Sequence, residues 1–191
     1  MVPLMLLRHG QTEWNAVDRM QGRLDSPLTA LGQSQARQQG EILARVGIEG
    51  WALYSSPQGR AWSTAQIAYG SAAARAVQDP RLVEIDVGDW TGAYRDAILA
   101  RHPELCDADA PLDWYDHAPG GEGYAGLEAR CRSFLSTLSG PSVLVTHGMT
   151  SKMLRCLAMG LPTDDMMAVP GGQGVVHRVE DGRHMTLLPE G

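Results

Sequence analysis

Apolar positions along this chain fall into two patterns: short runs that are apolar almost throughout, and longer stretches with helical spacing. Val2 to Leu7 is the first short run, the pattern of a strand buried on both faces. Trp51 to Tyr54 and Val143 to Val145, within SVLVTHG, predict two more strands. From Thr29, TALGQSQARQQGEILARV carries helix formers, with Leu31, Ala36, Ile42, Leu43 and Val46 as its apolar positions. SSPQGRAWSTAQIAY turns at Pro57 and Gly59 into a second helix. MTSKMLRCLAMG predicts a third, ended by Gly160 and Pro162. GVVHRVE and RHMTLLP flank Asp181-Gly182, a strong hairpin signal. Strands alternating with helices imply an α/β fold, three-layered α/β/α, around a mostly parallel, doubly wound sheet.

The length of 191 residues, 43% of them hydrophobic, suits one domain over 1–191, and no repeat or low-complexity linker divides it. After Trp90 the pattern loosens until Gly123. Residues 102–129 hold no Lys or Arg, yet carry Glu104, Asp107, Asp109, Asp113, Asp116, Glu122 and Glu128. This predicts a small, partly helical insertion, about 93–123, overhanging the carboxyl edge of the sheet.

A net charge of -6 argues against a general nucleic-acid binder. Lys152 is the only lysine, so Schiff-base chemistry has little to work with, while arginine is available for bidentate phosphate recognition. Cys106, Cys131 and Cys156 fit neither a disulfide framework nor a CxxC site, and read as free thiols in a reducing compartment. The opening MVPLMLL is cut off by Arg8 and lacks the leader of a secretory signal. No apolar stretch approaches the roughly 20 residues of a membrane span. The expectation is a cytoplasmic chain with neither nucleic-acid nor membrane partners, and with homodimerisation left open.

Ligands of open α/β sheets bind outside the carboxyl ends of strands. Arg8-His9-Gly10, Ser55-Ser56 leading to Arg60, and His147-Gly148 all fall at such ends. Two histidines and two arginines at one edge make a cationic pocket that selects a phosphate dianion, because guanidinium forks match phosphate oxygens. A zinc reading has no HExxH or comparable ligand pair behind it, and neighbouring arginines repel a cation.

LLRHGQTEWN, followed by Gln21-Gly22 and Asp25-Ser26-Pro27-Leu28-Thr29, then SSPQGRAWSTA, LVEIDVGDWTG and VTHGM, closely resembles the ordered blocks of the histidine phosphatase superfamily. The branch concerned includes the cofactor-dependent phosphoglycerate mutases. The resemblance implies a phosphoglycerate mutase-like fold and a metal-independent phosphomonoester hydrolase, without cofactor, acting through a phosphohistidine on His9. Arg8, Arg60, His147 and the proton donor Glu84 would complete the catalytic set, with Asn15, Gln21, Gly22 and Gly148 at the substrate. A neutral His9 is required for attack, and Arg8, Arg60 and a protonated His147 would keep it so by repulsion. His102, His117, His177 and His184 are read as structural or surface residues, and Trp14, Trp62 and Trp90 as packing.

The mutases of the family are typically longer and carry added basic residues after the glutamate block. Here the corresponding stretch is acidic and would repel a strongly anionic substrate, which favours a phosphatase for a small phosphorylated metabolite of modest further charge. A phosphoglycerate mutase and a catalytically idle phospholigand-binding protein are the alternatives. VPGGQGVVHRV departs from the family pattern at Gly172-Gln173.

Overall fold

The two-sided burial expected of the first apolar run belongs to β1 (Leu4–Arg8). In the computed structural model, which describes residues 2–105 and 113–190, Leu4 to Leu7 are fully enclosed. Leu4 and Leu6 pack into one core, Met5 and Leu7 into another, as side chains alternate across a strand. β4 (Ser142–Thr146) does the same, with Leu144 on the first side and Val143 and Val145 on the second. The sheet between the cores has the order β3-β2-β4-β1-β5-β6, where β2 is Ala52–Ser55, β3 Val77–Gln78, β5 Val176–Glu180 and β6 Arg183–Leu187. The first four strands run parallel, β5 pairs antiparallel with β1, and β6 with β5.

α1 (Ala30–Val46) and α2 (Gly59–Tyr69) cover the Met5–Leu7 face. α3 (Arg95–Arg101), α4 (Gly123–Leu135) and α5 (Gly148–Met159) cover the other. Thr29 caps α1 by accepting the Gly32 N–H at 3.0 Å. α1 then approaches the loop after β1 so closely that a Cβ on Gly10 would lie 2.1 Å from the Gly32 carbonyl oxygen. The hairpin turns where the sequence indicates, with positive φ at both Asp181 (50°) and Gly182 (72°).

Leu31, expected on the buried stripe of α1, is exposed; buried Gln39 lies on that stripe and donates to the carbonyls of Arg8 and Val175. Two elements carry no prediction from the pattern. β3 is two residues long and exposed, too short for a period to register. α4 buries only Leu127, Cys131 and Phe134, a thin stripe diluted by glycine and charge. Cys131 and Cys156 are buried free thiols, while Cys106, Asp107 and Asp109 lie outside the described residues. Among the described residues no helix is long and apolar enough to cross a membrane.

Candidate active site

Strand register brings the two motif histidines together. Arg8 pairs with Thr146 in the parallel β1–β4 ladder, and the His9 N–H continues it to the Thr146 carbonyl at 2.9 Å. One residue beyond the pairing, the chain turns from β1 toward α1 and from β4 into α5, on opposite faces of the sheet. The crevice between adjacent strands with opposed exits is a topological switch point. The His9 and His147 rings meet there with centroids 5.1 Å apart. Beside β4, β2 continues into Ser56, whose Oγ lies 2.8 Å from His147 Nε2.

His9 is 3% exposed, and its Nδ1 is 2.8 Å from the Gly10 carbonyl oxygen. A carbonyl only accepts, so Nδ1 carries the ring proton and Nε2 keeps its lone pair. Burial, followed by the charges of Arg60 and Arg8, holds the His9 pKa well below 6.5. His147 is lowered as well, first by burial and then by Arg60, so the protonated His147 expected from the sequence is not the state of the free protein. Ser56 Oγ accepts from the Gln58 N–H and, with a second lone pair and one proton, can serve either tautomer of His147 at Nε2. His147 Nδ1 is a buried atom with no partner among the described residues.

His9, Arg8, Arg60, Gln21 and Gly22 line an inner chamber of about 70 Å³, which shares Arg8, Asn15, Glu84 and Tyr115 with an outer cavity of about 370 Å³. Arg8 Nε and Arg60 Nε are buried donors without partners among the described residues. The terminal nitrogens of Arg60 are engaged elsewhere: Nη1 donates to the Leu24 carbonyl and Asp25, and Nη2 to the Gly22 carbonyl. Asn15 accepts the Thr12 N–H on Oδ1, which directs its amide donors away from that bond. Glu84 sits on the N-terminus of α5: Oε1 accepts from the Thr150 N–H and hydroxyl, and Oε2 from the Met149 N–H. Gly148 leaves space between this carboxylate and Arg8, since a Cβ there would be 3.5 Å from each.

Several supporting residues escape sequence reasoning because their roles depend on partners distant in the chain. The Gln58 side chain donates to the Gly22 carbonyl and accepts the Glu84 N–H, tying two site loops together. Asp25 accepts the Arg60 backbone N–H at the start of α2 as well as its guanidinium. Gln173, at the departure from the family pattern, donates to the His9 carbonyl. Tyr115, from the insertion, has its phenol pushed up to about 12 by burial and then by Glu84, and so stays protonated. Trp14 packs under Arg19, whose guanidinium lies 4.0 Å from the ring centroid.

The described part of the acidic stretch is tied up by partners of its own. Glu122 is held by Arg130 and Arg23, Glu128 by Arg132, and Asp116 caps the Tyr124 N–H. None of these lines the outer cavity, where, among the described residues, Arg8, Arg19, Arg95, Lys152 and Arg155 face two carboxylates, Asp18 and Glu84. His177, read as a structural or surface residue, is buried on the same wall. Among the described residues no three His, Cys, Asp or Glu side chains gather as a metal-binding group.

A family model described as histidine phosphatase superfamily (branch 1) matches residues 4–187. The glucosyl-3-phosphoglycerate phosphatase of Mycolicibacterium vanbaalenii is 36% identical over 198 residues, covering 95% of this chain and 84% of that protein. A protein of Serratia proteamaculans named probable phosphoglycerate mutase GpmB is 34% identical over 169 residues, covering 85% and 77%. Among solved structures, a mycobacterial glucosyl-3-phosphoglycerate phosphatase complexed with VO3 superposes with a TM-score of 0.81 at 30% identity, covering 98% of each chain.

Proposed function

Since the chain belongs to the histidine phosphatase superfamily (branch 1), we propose that it hydrolyses small phosphomonoesters through a covalent phosphohistidine on His9 Nε2, without a metal ion. One observation carries this reading. His9, with its Nε2 lone pair, shares the wall of the inner chamber with Arg8 and Arg60, whose buried Nε–H groups have no acceptor among the described residues. Buried donors in such a group call for an acceptor-only ligand. A chamber of about 70 Å³ admits a phosphoryl group and little more. A relative whose solved structure is a complex with VO3, which can mimic five-coordinate phosphorus, supports the same reading.

In the first half-reaction Nε2 attacks phosphorus, the bond to the ester oxygen breaks, and Glu84 gives that oxygen a proton. Its place on the walls of both chambers suits this transfer. In the second, water attacks phosphorus, Glu84 takes its proton, and the P–N bond breaks to release phosphate and neutral His9. Arg8, Arg60, Asn15 and His147 hold the equatorial oxygens, while Gln21, Gly22 and Gly148 shape the space. Buried free thiols and a small charged substrate support a cytoplasmic setting.

Rapid quenching during turnover of a ³²P-labelled ester should trap acid-labile label on His9, and His9→Ala should abolish turnover of p-nitrophenyl phosphate. Active enzyme that never carries label on His9 would overturn the proposal. The mutase reading has its own support, the cationic outer cavity and the relative named as a mutase. With 3-phosphoglycerate and its bisphosphate, isomerisation outpacing phosphate release would replace hydrolysis as the main activity.

A further inference from the structure

Gly148, Ser151, Lys152 and Arg155 recur at i, i+3, i+4 and i+7, so α5 turns one stripe toward the outer cavity. The stripe begins at the reaction centre, where Gly148 adjoins Glu84 and Arg8. Arg155 reaches back along it, as long helical side chains do, and its Nε donates to the Ser151 carbonyl at 3.1 Å. The guanidinium therefore lies about one helical turn, ~5 Å, beyond Gly148.

Neither cation on this stripe has a carboxylate partner among the described residues. Arg155 is 1% exposed and donates Nη1 to His184 Nε2, while Lys152 Nζ donates to the backbone carbonyls of Met167 and Val169. Burial lowers the Arg155 pKa to about 10, which still leaves a cation at neutral pH. Ser151, 2% exposed, adds an Oγ with no hydrogen-bond partner among the described residues. Enclosing positive charge and a free hydroxyl in this way is costly unless a counter-ion completes them.

We propose that Ser151, Lys152 and Arg155 form a second anion subsite, which receives a carboxylate carried by the leaving group a few bonds from the ester oxygen. The proposal rests on the phosphohistidine reading for the position of the phosphoryl group. It goes further by naming the substrate class: phosphate esters of hydroxy acids rather than of neutral alcohols.

The test is calorimetric titration of His9→Ala protein, which cannot turn ligand over, with 3-phosphoglycerate and with glycerol 3-phosphate. These probes differ by a carboxylate against a hydroxymethyl group. The acid should bind about tenfold more tightly or better, the gain expected from charge-assisted contacts. Lys152→Gln in the same background should shrink that ratio by about threefold or more. Arg155→Lys, which keeps the charge but loses the fork, should shrink it too and avoids burying a neutral truncation. Equal affinities, or a ratio that neither substitution moves, would overturn the subsite. Wild-type protein inactive on p-nitrophenyl phosphate would instead overturn the phosphatase reading, and the titration would still decide the subsite.

Discussion

Asp25→Ala should destabilise this protein and loosen the candidate site together, because one carboxylate serves both the α2 N-terminus and Arg60. Gln58, the residue before α2, makes no side-chain cap, and Asp25 accepts the Arg60 N–H at 3.1 Å from across the structure. Losing a cap costs about 1 kcal/mol. The same carboxylate accepts from Arg60 Nη1 at 3.1 Å, and the Arg60 side chain is 1% exposed. A hydrogen bond to a charged group contributes about 1.5–3 kcal/mol. The lower end applies here, because the Asp25 side chain is 38% exposed and partly screened by water. The sum, about 2–3 kcal/mol, corresponds to a fall in Tm of roughly 5–10 °C for a chain of this size. Asp25→Asn keeps an acceptor for the cap and loses only the ionic part, so about half that fall is expected. Scanning calorimetry of the two variants beside wild type measures both. A Tm for Asp25→Ala within a degree or two of wild type, or Asp25→Asn falling as far as Asp25→Ala, would refute this partition.

His9, His147, His177 and His184 all have folded-state pKa values below 6.5, with His177 at about 3. As pH falls below 6.5 the unfolded chain binds protons that the native state refuses; stability should therefore be complete above that value and decline beneath it. Urea midpoints at pH 7.5 and 5.5 check the sign, and a midpoint at 5.5 that is equal or higher contradicts it. Glu84→Gln should slow alkyl phosphates more than p-nitrophenyl phosphate, whose leaving group needs no proton, and equal slowing would argue against Glu84 as the acid. Ser56→Ala removes the hydroxyl that holds the His147 ring at Nε2, so kcat should fall about fivefold or more with a smaller change in KM. A rise in KM alone would assign Ser56 to ground-state binding instead.

The legible parts of the site were those whose signal is contiguous. RHG after an apolar run and THG after SVLVT each join a buried strand to the group that leaves its end, so the sequence indicates both the element and its chemistry. Ser56 was visible only as part of a strand-end cluster, and Gln58 not at all. Its two hydrogen bonds run to Gly22 and Glu84, and a side chain's partners leave no trace in its neighbours. The acidic stretch after the Glu84 block meets the same limit. Local composition records charge but not the distant cation, such as Arg23 for Glu122, that neutralises it.

By itself, then, the chain determined which faces are buried, where the strands end and which histidines and arginines stand at those ends. These follow from side-chain periodicity and backbone preference, which act over a few residues. Only the tertiary structure decided that Arg8 is in register with Thr146 and so that His9 meets His147, and that the α5 stripe of Lys152 and Arg155 faces the cavity. Periodicity tells a side chain that it will be enclosed. The pairing of strands brought back from far along the chain determines what encloses it.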